Sequence, residues 1–463
     1  MPLDLKKRKI HFIGIGGVGM SGIAELLHQQ GHVISGSDLS VGEIFKRLEK
    51  LGIACKDTHS PEHITHYKPD VVVYSSAIKK SNEEFQKALE LHVPVISRAE
   101  MLAEAMRMKR GVAIAGSHGK TTTTGMVTEI IKKTALDPTV VIGGRFASIG
   151  SSTSSLGKGE WFLAEADESD GSFLKLSPEI SVVTNIDKEH CDFYASDEAL
   201  NDAFIEFINK TPFYGKVILN SDCQRIFSLK ERINKPTTYF GFEKEKNPDC
   251  LISIQKNQGV SEFSLHSKKD SPLNKAAFSV SVPGKHNILN ATAAILVAHE
   301  MNVPVAEIQN LIKNFKGVSR RFEVKGEWKE RIVVEDYAHH PTEIRSTIEA
   351  ATSCFQEKPV VIFQPHRYSR TIHLWNEFKN SFQGAEKVFF LPVFPGSEKK
   401  EDWNYYDDQY DFQKHCTGIA STNCSGFDDC YEKLLSYEGE GSNKASILIL
   451  GAGNTHQMTT RLC

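Results

Sequence analysis

Two glycine-rich turns, each behind an apolar run and ahead of a helical pattern, constrain this chain more than any other feature. The first is "KIHFIGIGGVGMSGIAELL", with Gly14, Gly16 and Gly19 at G-x-G-x-x-G spacing, and the second, "AIAGSHGKTTTT", holds Gly116 and Gly119. In both, a strand must end in a turn that glycine's conformational freedom permits, and a helix must start where the turn ends. That arrangement aims backbone N–H groups and the positive end of the helix dipole at an anion. Such units belong to parallel sheets with helical crossovers, so the chain must hold two separate α/β sheets, each with its own phosphate cradle.

The 463 residues suit about three domains. In the first block, strands are expected at 10–15, 33–35, 71–74 and 93–96, and the helix in "ISRAEMLAEAMRMKR" closes it near residue 108. A second block restarts at "GVAIAG" and continues through "TVVIGG", "WFLAEAD" and "ISVVTNID", each apolar enough for a sheet buried on both faces. Within it, residues 216–283 alternate in short runs between polar turns, which predicts a small antiparallel sheet. A third block carries "RIVVEDYA", "PVVIFQP", "KVFFLPVF" and "SILILGAG". The expected architecture is α/β with three domains: Rossmann-like 1–108, a P-loop-type 109–318 with the 216–283 inset, and Rossmann-like 319–463.

Charge and composition exclude several functions. With 58 acidic and 55 basic side chains the net charge is −3, so no global basic field exists to hold nucleic acid or a membrane surface. No apolar run approaches the roughly 18–20 residues that span a bilayer, and the N-terminal charges lead into a glycine turn rather than a signal sequence. The nine cysteines contain no C-x-x-C pair, which fits reduced thiols in a cytoplasmic protein.

Lys120 in the second loop supplies a point charge for phosphate, and the Thr121 hydroxyl is placed to ligate Mg²⁺. "LAEADESDGSF" gathers Glu165, Asp167, Glu168 and Asp170 at a strand end, where ligands of parallel sheets collect. Glu165 lies within the apolar strand and needs a partner there, which Mg²⁺ would provide. "VVTNIDKEHCDFY" repeats the geometry with Asp187, Glu189 and His190; the histidine is open to a ligand role or a structural one. In "GKHNILNATAA", Asn287 and Asn290 suit an adenine edge as well as a helix cap. "SRRF" (Arg320, Arg321), "VEDYAHHPTEI" (Asp336, His339, His340) and "FQPHRYSRT" (His366, Arg367, Arg370) place forked donors where carboxylates or phosphates would be held.

Taken in order, "GIGGVGMSGIAELL", "GSD", "SSAI", "SRAEML", "GSHGKTTTT", "EADESDGSF", "TNIDKEHCDFY", "GKHNILNATAA", "GVSRRFE", "DYAHHPTE" and "QPHRYSRT" resemble the Mur ligase family from about residue 9 to 456. The likeness implies ATP-dependent joining of L-alanine to the carboxylate of UDP-N-acetylmuramate through an acyl phosphate, in cytoplasmic peptidoglycan precursor synthesis. The family's peptide-recycling branch, which attaches a preformed peptide to the same sugar nucleotide, carries Tyr at the place of Ser169 and an acidic Pro-Arg motif at "QPHRYSRT". Both differences favour the alanine-adding branch. The resemblance implies ATP on Gly116, Ser117, His118, Gly119, Lys120, Thr121 and Thr122, with Asn287, Asn290, Arg321 and Asp336. It implies Mg²⁺ or Mn²⁺ at Thr121, Glu165 and His190, and His339, Arg367 and Arg370 facing the amino acid and acyl phosphate. The UDP-sugar would take Gly14, Gly16, Gly17, Val18, Gly19, Met20, Ser37, Asp38, Ser75, Ser76 and Arg98. A monomer or homodimer is expected. The segment "GSSTSSLGKG" departs from the family's usual G-T/H-N/A-R-L-G-like stretch.

Two other classes fit less of the chain. A nicotinamide-dependent oxidoreductase would use the first loop and leave the second idle. A non-catalytic sugar-nucleotide sensor conflicts with intact Lys120, Thr121, Glu165 and His190.

Overall fold

The computed structural model describes residues 7–142, 154–189, 193–268, 270–437 and 445–463. It divides into two units, residues 1–251 with 292–311 and residues 252–291 with 312–463.

The first unit opens with strands β1 (Lys9–Ile13), β2 (Val33–Ser37), β3 (Ala54–Lys56), β4 (Val71–Tyr74) and β5 (Val95–Ser97), in the order β3-β2-β1-β4-β5. All their pairings are parallel. The strand order reverses between β1 and β4, and a crevice for ligand opens at such a switch point. The Gly14–Gly19 loop leaves β1 there, and Ser75 and Ser76 leave β4. β3 has no counterpart among the expected strands, because "ACK" is too short and too polar to stand out.

A second sheet in the same unit comprises β6 (Arg110–Ala115), β7 (Thr139–Val141), β8 (Ser154–Ser155), β9 (Trp161–Glu165), β10 (Ile180–Val183), β11 (Lys216–Asn220) and β12 (Thr237–Gly241). Their order is β12-β11-β10-β6-β9-β7-β8. β6 lies between β9 and β10, so the second glycine loop is flanked by both acidic strand ends. One apolar cluster joins the two sheets. Phe12, Ile23 and Leu26 belong to it with Met101, Leu102 and Met106 of the helix Arg98–Arg107, and with Ala113, Phe162 and Phe204.

Residues 216–283 match the expected antiparallel sheet only in their later part. β11 pairs parallel with β10, and β12 parallel with β11. The strand β13 (Cys250–Gln258) begins parallel to β12 at Cys250 and Leu251. Parallel neighbours need a crossover, and the short helix Gln224–Ser228 with the 3₁₀ turn Lys230–Arg232 supplies one between β11 and β12. Antiparallel pairing is found further on, between β14 (Val260–Ser267) and β15 (Ala276–Val280), in the second unit.

The second unit's main sheet contains β16 (Glu323–Trp328), β17 (Arg331–Asp336), β18 (Val360–Phe363), β19 (Lys387–Phe390), β20 (Ala420–Asn423) and β21 (Ile447–Leu450), ordered β16-β17-β21-β18-β19-β20. Val334, Val361, Phe363, Leu448 and Leu450 face one core, and Val333, Val360, Ile362, Ile447 and Ile449 face the other. This is the period-two alternation of strands covered on both faces. β17, β21 and β18 are parallel neighbours, so the turns after β17 and β18 emerge on one edge. Among the described residues no helix is long and apolar enough to cross a membrane.

Candidate active site

The second glycine loop is locked from both sides. Gly116 has φ +130°, and a Cβ there would stand 2.1 Å from Thr184 Oγ1, so no other residue fits without moving the neighbouring strand. Thr184 and Asn185, just past β10, grip the turn. His118 N donates to Asn185 Oδ1 at 2.8 Å, while Asn185 Nδ2 and Thr184 Oγ1 donate to His118 O at 3.0 and 2.5 Å. Asp187 N donates to Ser117 Oγ at 2.9 Å, and His118 Nε2 lies 3.2 Å from Asp187 Oδ2. Thr184 and Asn185 are absent from the expected site, and their only signal was a Thr-Asn pair closing an apolar strand.

Gly119, at φ +83°, precedes the helix Lys120–Ile131. Lys120 Nζ donates to both oxygens of Glu168 at 2.8 Å and to the loop carbonyls of Gly116 and Ser117 at 2.6 and 3.2 Å. Glu168 is fully buried and the Lys120 side chain is 18 % exposed. Burial opposes the lysine's charge, but Glu168 and Asp167 outweigh it and hold Lys120 above its ordinary range. Burial likewise pushes the Asp167 carboxyl up, and Lys120 with the Ser169 amide brings it below the usual range. Thr121 Oγ1 donates to Glu165 Oε2 at 3.2 Å, whereas Thr122 turns into the core. His190, expected beside this pair, lies outside the described residues, as do 150–153 of the departing segment.

At the first loop, Gly14 N and Ile15 N donate to Ser37 O at 2.8 and 3.0 Å. Gly16 N donates to Asp38 Oδ2 at 2.8 Å. Gly14 has φ +84°, and a Cβ there would come within 3.0 Å of Ser75 Cβ. Gly17 caps the helix Val18–Gln29; Val18 and Ser76 are exposed, and Met20 is a core side chain. Arg98 starts the helix Arg98–Arg107, whose N-terminus is fixed by a capping box between Ser97 and Glu100. Its guanidinium would lie 3.0 Å from a Cβ at Gly19 and reaches to 3.9 Å from Asp167 Oδ2. With Glu165, Ser172 and Phe173 these two line one recess. Arg98 therefore stands between the two glycine loops.

The second unit brings most of its predicted residues together in a polar cluster of its own sheet. Asp336 is buried and accepts N–H bonds from Phe322 and Ala338, both at 2.7 Å. Burial pushes its carboxyl up to about 6, Arg321 opposing and Glu343 adding to the shift. Arg321 pairs with Glu343 at 3.4 Å and lies 5.1 Å over the Tyr337 ring. His339 Nδ1 lies 2.9 Å from Tyr337 O, and its ring meets His366 edge-on at 6.2 Å. Arg370 Nη1 sits 3.1 Å from His366 Nδ1. Burial, then Arg370, His339, Arg367 and Arg320, push His366 down to about 3 and keep it a neutral acceptor. Arg367, with φ +71°, donates through Nε to Glu398 at 2.8 Å. Glu398 also accepts from the Ser369 amide and hydroxyl. Nothing in the local pattern of "PGSEKK" marked Glu398 as the anchor of an arginine thirty-one positions away. Asn287 Nδ2 donates to Pro283 O at 2.7 Å, and Asn290 Nδ2 to Asn287 Oδ1 at 3.3 Å.

Known proteins resemble this chain over nearly its whole length. The Mur ligase family's catalytic domain matches residues 9–110, its middle domain 114–298 and its glutamate ligase domain 320–453. The UDP-N-acetylmuramate–L-alanine ligase of Geotalea uraniireducens is 50% identical over 458 residues, covering 98% of this chain and 97% of that one. Among solved structures, the UDP-N-acetylmuramate-alanine ligase of Thermotoga maritima superposes with a TM-score of 0.78 at 27% identity, over 98% of both chains. A murein peptide ligase of Psychrobacter arcticus shares the fold at TM-score 0.72 and 23% identity, also over 98% of both chains. The order of the motifs, the three α/β sheets and these likenesses agree: the chain belongs to the Mur ligase family.

Proposed function

We propose that this protein joins L-alanine to the carboxylate of UDP-N-acetylmuramate at the expense of ATP, giving ADP and phosphate, in the cytoplasm as a step of peptidoglycan precursor synthesis. The observation that carries the reading is the gathering of Lys120, Thr121, Glu165 and Glu168 around one glycine loop, with Arg98 linking that site to a second glycine loop. The 50% identity to an alanine-adding relative supports the choice of amino acid and sugar nucleotide.

In this reading the Gly116–Gly119 amides and the helix start bind the triphosphate. Lys120, ionised and already aimed by Glu168, offsets charge on the γ-phosphate as it moves to the muramyl carboxylate. Thr121 and Glu165 offer two hard oxygen donors 3.2 Å apart. Adjacent ligands of an octahedral ion at about 2.1 Å lie about 3 Å apart, so the pair fits Mg²⁺. When bound, Mg²⁺ or Mn²⁺ would neutralise phosphate charge; His190 completes the ligand set on the family resemblance. Gly14–Gly19, Ser37, Asp38, Ser75, Ser76 and Arg98 are assigned to the UDP-sugar. Asn287, Asn290, Arg321 and Asp336 are assigned to the nucleoside side of ATP, and His339, Arg367 and Arg370 to alanine and the acyl phosphate. A planar arginine fork held by His366 suits a carboxylate. We keep the domain bounds 1–108, 109–318 and 319–463 as part of this proposal.

The test is phosphate release with UDP-N-acetylmuramate, L-alanine and Mg·ATP, leaving out one component at a time. Release is expected only with all present; equal release without the amino acid refutes the ligase reading. Substituting a preformed peptide for alanine separates the two branches, and it should support little or no turnover.

A further inference from the structure

Beneath the first glycine loop lies a buried charged cluster with no part in the chemistry above. Glu84, in the first turn of the helix Glu83–Glu90, is fully buried. Its Oε1 lies 2.5 Å from His63 Nδ1 and 3.5 Å from His11 Nε2. Its Oε2 lies 3.2 Å from His59 Nδ1 and accepts the Ser37 hydroxyl at 2.5 Å. His11 is fully buried, holds Ser35 Oγ through Nδ1 at 2.9 Å and stacks on Tyr67 at 5.9 Å. The groups come from β1 (His11), β2 (Ser35, Ser37), the turn after β3 (His59), the helix Pro61–Tyr67 (His63, Tyr67) and the helix of Glu84 itself. Burial pushes Glu84 up, yet the hydrogen bonds of His11, Ser37 and His63 and the charge of His11 hold it at about 2.

An apolar group would hold five elements together more simply than a buried carboxylate does. What an apolar group could not do is orient Ser37. The hydroxyl of Ser37 is tied to Glu84, and its carbonyl receives Gly14 N and Ile15 N. The next residue, Asp38, receives Gly16 N. A short chain of directional bonds thus runs from Glu84 to the backbone of the first glycine turn.

We propose that Glu84, held by His11, His59 and His63, is a positioning residue for the sugar-nucleotide diphosphate, fixing the backbone of the Gly14–Gly16 turn through Ser37. This rests on the reading that the first loop takes the UDP end of the substrate. Calorimetry of the whole protein with UDP-N-acetylmuramate tests it beside steady-state kinetics. Glu84→Gln keeps the shape and removes the charge. It is expected to raise the Kd about tenfold, as loss of a charge-assisted hydrogen bond does, and to raise KM for UDP-N-acetylmuramate with KM for ATP unchanged. Ser37→Ala should weaken binding similarly, and the double variant no more than the weaker-binding single one, because both remove one contact. If Glu84→Gln does not fold, His63→Gln takes its place, with about a threefold rise in Kd expected. Wild-type affinity in whichever variant folds, or multiplied losses in the double variant, overturn the positioning role. A wild-type protein that does not bind UDP-N-acetylmuramate overturns the ligand assignment instead.

Discussion

Removing Lys120 should damage the protein in two ways that can be separated. Its Nζ lies 2.8 Å from both oxygens of Glu168, which is fully buried. At an effective dielectric of about 20, unit charges at that distance attract by about 6 kcal/mol, but desolvating the carboxylate cancels much of this. The intact pair is therefore worth little net, whereas an orphaned partner costs about 3–5 kcal/mol. Lys120→Met leaves such an orphan, and its melting temperature should fall by about 6–10 °C. Its turnover should also drop at least about 10²–10³-fold, because charge stabilisation of the transferring phosphoryl group is gone. Lys120→Met/Glu168→Met removes both charges; it should recover most of the lost melting temperature and none of the turnover. Differential scanning fluorimetry and a phosphate-release assay on the three proteins check this. A single variant as stable as wild type, or a double variant no more stable than the single, would refute the reasoning about the buried pair.

Other expectations are simpler. Asp336 has a folded pKa of about 6 against roughly 4 unfolded, so between those values the folded chain holds a proton that the unfolded chain lacks. Stability should fall by on the order of 1–3 kcal/mol as pH rises through that window, and Asp336→Asn should flatten the slope in melting curves. His366 works in the opposite sense: with a folded pKa of about 3, it stays neutral while the unfolded histidine takes up a proton below roughly 6.5. Stability is lost as pH falls below that value, and His366→Gln, which can still accept from Arg370, should lose less between pH 7 and pH 5. Gly116→Ala meets both a φ of +130° and a 2.1 Å approach to Thr184 Oγ1. It should abolish ATP binding by calorimetry or yield insoluble protein, and ATP binding of wild-type strength would show that the loop is not built as described.

Much of this protein is legible locally. A glycine that must take positive φ, a strand ahead of it and a helix behind it are properties of a few adjacent residues, which is why both cradles, Lys120, Thr121 and the acidic strand ends stand out in the sequence. Continuous apolar runs likewise mark strands covered on both faces. Strand order and the partners across it are not local. "KVILNSD" and "TTYFGF" look alike whether they pair parallel or antiparallel, and the short helix between them settles the matter. Only the placement of β9 and β10 on either side of β6 brings Glu168 to Lys120, and Thr184 with Asn185 to the loop. Arg98, Glu398 and Glu84 find their partners the same way, across sequence separations of 69, 31 and 21 to 73 residues. Those contacts depend on how sheets and crossovers bury their apolar faces together, and no short stretch of the chain records that outcome.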